Sequence, residues 1–207
     1  MLAFASIMAS SDQTSSPDPV PEADRPLILV TLRDGSVAEL GPLAPQDREL
    51  LLEGLSQMSE ESRFARFGSG RSSLSASELD YLTDVDQVSH VAWGATVDGS
   101  PAGAGRYIVG DDAEAEIAIA VVDRYQGIGL GRALFDALVA SARAGTVEAF
   151  RFSIEPWNRV VIRLVEGFDV RFDEAEGMLT GRVEIDHMPP GDREAEYVDL
   201  LDRARSG

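Results

Sequence analysis

Lysine and cysteine are both missing from this chain, and histidine occurs only twice, at His90 and His187. Without cysteine there is no disulfide framework, no thiolate nucleophile and no thiolate metal site, and with two histidines left a zinc centre is not expected. Without lysine there is no Walker phosphate loop, which needs Gly-Lys-Ser/Thr. A protein that modified lysine side chains would have none of its own to modify. Long apolar runs are absent too: none approaches the roughly 20 residues that span a bilayer, so no membrane partner is expected. Residues 1–10 lack the positive n-region of a signal peptide, and the expected location is the cytoplasm. Positive charge is scarce. The 18 basic residues are all arginine and face 36 acidic ones, a net charge of −18, which argues against nucleic acid as a partner and suits the attraction of basic surfaces.

What is present is 44% apolar content in 207 residues, enough for one substantial core. Residues 1–26 are read as a disordered arm, because from residue 10 they are rich in Ser, Asp and Pro. Residues 27–185 form the expected domain, and 186–207 an acidic tail with a short amphipathic helix through Tyr197, Leu200 and Leu201. Strands are predicted at 27–33 and 36–40 around Asp34-Gly35, and at 88–97 and 103–109 around a turn at 98–101. Helical spacing follows Pro45 through Leu50, Leu51, Leu55 and Met58, and recurs at 59–67, where Ser59 and Ser62 supply first-turn signals, and at 74–82. Residues 115–122 are apolar on both faces, the mark of a covered central strand. Leu130, Leu134, Leu138 and Ala142 recur at i+4 along a helix that Gly145 stops. A strand at 147–154, a short helix from Trp157 and strands at 170–172 and 177–185 complete an α/β (α+β) domain.

The chemistry concentrates in residues 115–132, AEIAIAVVDRYQGIGLGR, where a buried strand enters a glycine-rich turn and then a helix. Gly127, Gly129 and Gly131 lack Cβ atoms, so positive φ is open to them and backbone amides can close on a phosphate. The helix adds its unpaired N-terminal donors and the positive end of its dipole, which makes a diphosphate the natural guest. The dinucleotide fingerprint does not fit, because these glycines fall at first, third and fifth positions instead of first, third and sixth. The alternative is a β-to-α connection with a packing role only.

Gln126, Gly129 and Gly131 spell Gln-x-x-Gly-x-Gly, which resembles the coenzyme A pyrophosphate loop of the GNAT (Gcn5-related N-acetyltransferase) superfamily. The resemblance implies a mixed, mostly antiparallel sheet of about seven strands flanked by helices, and acetyl-CoA as acyl-donor cosubstrate. It places the coenzyme on Gln126, Gly127, Ile128, Gly129, Leu130, Gly131 and Arg132, and the pantetheine arm on backbone groups of Ala120, Val121 and Val122. Asn158, in Glu155-Pro156-Trp157-Asn158, would bond the pantetheine or phosphate region, ahead of the Gly167-Phe168 pair. Glu116 resembles the general base that several protein-acetylating members carry on this strand; the alternative is an ordinary exposed strand-end acid. Two departures stand out. Asn158 lies nearer Gly167 than is usual, and Val165 occupies the place where many relatives have a Tyr general acid, so no acid is assigned.

Residues 59–67 (SEESRFARF), 82–90 (LTDVDQVSH) and 104–108 (AGRYI) are similar to the catalytic domain of bacterial cyclic-AMP-regulated protein lysine acetyltransferases, a likeness covering about residues 58–185. Only the arm and first hairpin precede Pro45, so no nucleotide-sensing domain and no cyclic-AMP control are expected. Arg63, Arg66 and Arg71 either gather near the coenzyme or form a solvated helix face. The implied activity is acetyl transfer to protein lysine side chains. A small-molecule amine acetyltransferase and a non-catalytic acyl-CoA-binding module remain the alternatives.

Overall fold

Turn chemistry sets both N-terminal hairpins. β1 (Ile28–Thr31) and β2 (Val37–Pro42) are joined through Asp34-Gly35, where Gly35 takes φ +89° and the Asp34 carboxylate accepts from the amide and hydroxyl of Ser36. β3 (His90–Val97) and β4 (Ser100–Val109) meet at Asp98 and Gly99, both at positive φ (+50° and +72°). Two consecutive positive values are what a type I′ hairpin turn requires, so the turn is two residues instead of the predicted four. The computed structural model describes residues 25–206 apart from Gly68, Ser69, Arg71, Asp111, Trp157, Glu166, Gly167 and Glu176, and only the backbone at Arg66, Phe67, Arg159, Val160 and Ala175. Residues 1–24 of the expected arm lie outside the described residues, as do the suggested roles of Arg71, Trp157 and Gly167 and the side chain of Arg66.

Between the hairpins run α1 (Arg48–Gln57), α2 (Glu60–Phe67) and α3 (Ala76–Thr83). After them come β5 (Glu114–Val121), α4 (Leu130–Ala144), β6 (Ala149–Ile154), α5 (Arg159–Val165), β7 (Arg171–Ala175), β8 (Met178–Glu184) and α6 (Glu194–Ser206). All the strands share one sheet in the order β1-β2-β3-β4-β5-β6-β8-β7, antiparallel except for the parallel pair β5–β6. The sheet has eight strands where about seven were expected, since both outer hairpins join it in full.

α4 covers one face. Its stripe of Leu130, Leu134, Leu138 and Ala142 is wholly buried, as the i+4 spacing predicts, and each leucine contributes about 1.5–3 kcal/mol of burial. Gly103 and Gly105 of β4 let it approach: a Cβ on either would stand 3.1 and 3.0 Å from the methyls of Leu134 and Leu138. α6 packs beside α4, burying Tyr197, Leu200 and Leu201, and Tyr197 meets Trp93 edge-on at 5.5 Å. The segment expected as an acidic tail is therefore built into the core. α1 lies on the opposite face, because Ala104 and Arg106, alternating with those glycines along β4, share a pocket with Leu50, Leu51 and Leu55.

Candidate active site

The sheet splits where β5 meets β6. Their pairing is limited to Glu114–Ala149, Ala115–Phe150 and Glu116–Arg151. Beyond that rung β5 continues against β4 as far as Gly103–Val121, while β6 continues against β8 as far as Ile154–Leu179. The facing edges from Ile117 and Phe152 onward do not pair with each other. Backbone groups of successive residues in a strand point to opposite edges. The Val122 amide donates to Ala102 O (2.9 Å), so by alternation Ala120 also turns toward β4, and Ile119 and Val121 face the split. Of the three residues expected to meet the pantetheine arm, only Val121 presents its amide there. Ala120 and Val122 turn their backbone groups elsewhere, and Ile119 faces the split beside Val121.

The open edge runs directly into the glycine turn. Gly127 and Gly129 take φ +76° and +106°, values that residues with a Cβ rarely adopt. Gly131 sits in the first turn of α4 without positive φ. None of the amides of Gly127, Ile128, Gly129, Leu130 and Gly131 donates to another described group of the protein. Five consecutive amides left open where a 15-residue helix begins can cradle an anion.

Three long-range contacts hold the cradle. Gln126 Nε2 donates to Val121 O (3.0 Å) and to Ser62 Oγ (3.2 Å), so this side chain braces the turn against β5 and α2. Asp123 accepts from the Ser59 amide (2.8 Å), the Ser59 hydroxyl (2.6 Å) and the Ser62 hydroxyl (2.9 Å), capping α2 from outside the helix. Burial alone would raise the Asp123 carboxyl; the hydrogen bonds from Ser59 and Ser62 outweigh it and hold the group below its ordinary value. The Arg33 amide donates to Ile128 O (2.9 Å), docking the first hairpin on the turn. Arg132 pairs with Asp136 (2.7 Å) and lies over the Phe168 ring at 5.5 Å. Leu130 is fully buried and serves the core.

Glu116 is exposed at the last paired rung, at the point where the split opens. On its face of β5 follow Ala118 and Ala120, which with Leu55, Met58, Ala104 and Arg106 wall an apolar cavity of about 80 Å³ beneath α1. Arg106 is buried, donating to His90 Nε2 and Leu82 O, both at 3.3 Å. Burial, with Arg106 beside it, pushes His90 down to about 4, so the ring is neutral at physiological pH.

The structure thus gathers Glu116, Val121 and residues 126–131 along one track. Asn158 is the N-cap of α5, its Oδ1 accepting from the Val161 amide at 3.3 Å. Val165 is buried in the core. Arg63 donates to Met58 O and to Gly70 O, bracing the two ends of its own helix region. Asp123 and Arg33 were missed by sequence reasoning, since each acts across a wide gap in the chain. The one local trace is Ser59-x-x-Ser62, which asks for a cap without saying that the acid comes from elsewhere.

Residues 53–168 match the model of the acetyltransferase (GNAT) family. Over 183 residues the chain is 32% identical to Acetyltransferase Pat of Mycolicibacterium smegmatis, covering 86% of this chain and 54% of that protein. It therefore spans about half the length of that relative. Among solved structures it superposes on the GNAT domain of S. lividans PAT with a TM-score of 0.72 at 28% identity, covering 76% of this chain and 96% of that one. It also superposes on a variant of the cAMP-binding acyltransferase from Mycobacterium smegmatis with a TM-score of 0.58 at 26% identity, over 86% and 52% of the two chains. With the match spanning more than half of the chain and including β5, the glycine turn and α4, the chain belongs to the acetyltransferase (GNAT) family.

Proposed function

We propose that this protein transfers the acetyl group of acetyl-CoA to an amine, with protein lysine side chains as acceptors and Glu116 as general base. The observation that carries the reading is the continuous track from Glu116, along the open edge at Ile119 and Val121, to the five free amides of Gly127–Gly131. The coenzyme diphosphate lies on those amides and the α4 dipole. The pantetheine arm, which carries two amide groups, pairs along the β5 edge as an added strand would. This brings the thioester to the mouth of the split, beside Glu116.

There the amine attacks the carbonyl carbon, forming the C–N bond. Glu116 takes the amine proton directly or through a water, the C–S bond breaks, and solvent protonates the thiolate. A base matters because a lysine amine of pKa about 10.4 is neutral in only about one molecule in two thousand at pH 7. That deficit corresponds to roughly 4–5 kcal/mol. The net charge of −18 favours acceptors that present lysine on a basic surface.

The test is Glu116→Gln, with turnover followed by intact mass of a lysine-rich protein and coenzyme affinity by calorimetry. General-base catalysis is typically worth about 10²–10⁴-fold, so kcat should drop by at least about a hundredfold while coenzyme affinity stays within about twofold. Unchanged turnover removes Glu116 from the mechanism. If the wild-type protein binds coenzyme but acetylates only small amines, the lysine assignment fails.

A further inference from the structure

Coenzyme A brings several negative charges to a protein whose own net charge is −18. Backbone amides and a helix dipole supply only partial positive charge, so a full cation near the cradle decides how well the phosphates are held. Arg124 is stacked on Tyr125, its guanidinium 4.6 Å from the ring centroid, and Arg132 is paired with Asp136. Arg33 and Arg124 are both exposed, and among the described residues neither is paired with a carboxylate; Arg33 is set apart by where its side chain lies.

Its position is fixed by the hairpin. The Arg33 amide is tied to Ile128 O at 2.9 Å, and its side chain passes over the glycine turn: a Cβ placed on Gly129 would lie 3.7 Å from Arg33 Cγ and 3.9 Å from Arg33 Nε. The same glycine is the N-cap of α4, at the centre of the five free amides. Arg33 also stands outside residues 53–168, where the family match lies.

We propose that Arg33 is a further coenzyme-binding residue of this chain, its guanidinium closing over the glycine turn onto the diphosphate of coenzyme A. The inference rests on the coenzyme site described under the proposed function. A guanidinium suits the task because its planar array of N–H groups bonds two phosphate oxygens at once. The first hairpin then does more than extend the sheet edge: it delivers a further cation directly over the glycine turn.

The test measures coenzyme A affinity by calorimetry for the wild-type protein and for Arg33→Ala, Arg33→Gln and Arg33→Lys, at low and high salt. Each variant keeps the backbone amide that docks the hairpin, and the side chain is exposed, so folding is retained; circular dichroism checks it. Arg33→Ala and Arg33→Gln should weaken binding by about tenfold at low salt, and by less at high salt, as expected for a screened charge contact. Arg33→Lys should recover part of the loss. The penalty should persist with 3′-dephospho-coenzyme A; its disappearance there would overturn the diphosphate assignment. Equal affinity in all variants overturns the inference while leaving the coenzyme site intact. A loss that is insensitive to salt and unrescued by lysine also overturns it, since that is the pattern of a purely positional role. Failure of the wild-type protein to bind coenzyme A brings down the site itself, a distinguishable result.

Discussion

Asp123 and Ser59 are 64 positions apart in the chain, yet the aspartate accepts from both the amide (2.8 Å) and the hydroxyl (2.6 Å) of the serine. One carboxylate thereby fastens the start of α2 to the turn that leads into the anion cradle.

Asp123→Ala should remove that fastening. The first turn of α2 loses an external acceptor, and losing a cap costs about 1 kcal/mol. Urea denaturation at pH 7 should report this loss with an unchanged m-value. Because Gln126 also reaches Ser62, coenzyme affinity should fall several-fold as the turn loosens. The Asp123 carboxyl is held below its ordinary 3.8, so its contribution is complete above that value and disappears as the pH falls through the lowered one. Wild type and variant should therefore converge in acid. A gap that stays constant from pH 7 to pH 3 would count against the charged cap.

Gly129 and Gly131 should respond to alanine with opposite signs. Gly129 stands at φ +106°, where a Cβ costs about 1–2 kcal/mol. Gly131 has helical geometry, and its Cβ would meet the Val121 methyl at an ordinary 3.7 Å. Alanine in a helix is favoured over glycine by about 1 kcal/mol. Thermal unfolding should show Gly129→Ala less stable than wild type and Gly131→Ala equal or more stable. Equal losses would mean that the backbone angle at Gly129 carries no special constraint.

Local signals account for what the sequence made legible. The stripe of Leu130, Leu134 and Leu138, the Asp98-Gly99 turn and the strand–glycine–helix order each involve residues close in the chain. The parity of β5 was not legible. Whether Ala120 or Ile119 faces the split depends on which carbonyl of β4 the Val122 amide finds, and only strand pairing decides that. Asn158 caps α5 by accepting from the Val161 amide, a contact that its place after β6 in the sequence did not announce. Arg33 was invisible for a similar reason: nothing beside it in the sequence says that a hairpin turn will fold onto Ile128.

Gly103→Ala and Gly105→Ala should separate two kinds of close contact beneath α4. At Gly103 the nearest atom to an added Cβ is the backbone oxygen of Ala120, at 2.9 Å. That oxygen cannot turn aside, so β4 and β5 must shift, at about 1–3 kcal/mol. At Gly105 the nearest atom is a Leu138 methyl at 3.0 Å, the movable end of a side chain. Chemical denaturation should therefore show the larger loss at Gly103. Since Gly103 pairs with Val121 on the open edge, that variant should also lose coenzyme affinity. Indistinguishable behaviour of the two variants would refute the distinction.

His90 makes stability depend on pH in a defined window. Burial and the neighbouring Arg106 push its pKa from 6.5 to about 4, with Asp86 opposing, and the Tyr81 ring lies 5.1 Å away. Between those values the unfolded chain takes up a proton that the folded one refuses. Stability should thus fall as the pH drops from about 6.5 toward 4, by at most about 3 kcal/mol from this group. Glutamine at position 90 does not titrate and keeps an acceptor for Arg106, so His90→Gln should lose about 2 kcal/mol less than wild type between pH 7 and pH 4.5. The lowered carboxyls of Asp86 and Asp123 titrate in both proteins and largely cancel in the difference. If urea denaturation gives both proteins the same loss over that interval, His90 is already protonated in the folded state and Arg106 is not holding it neutral.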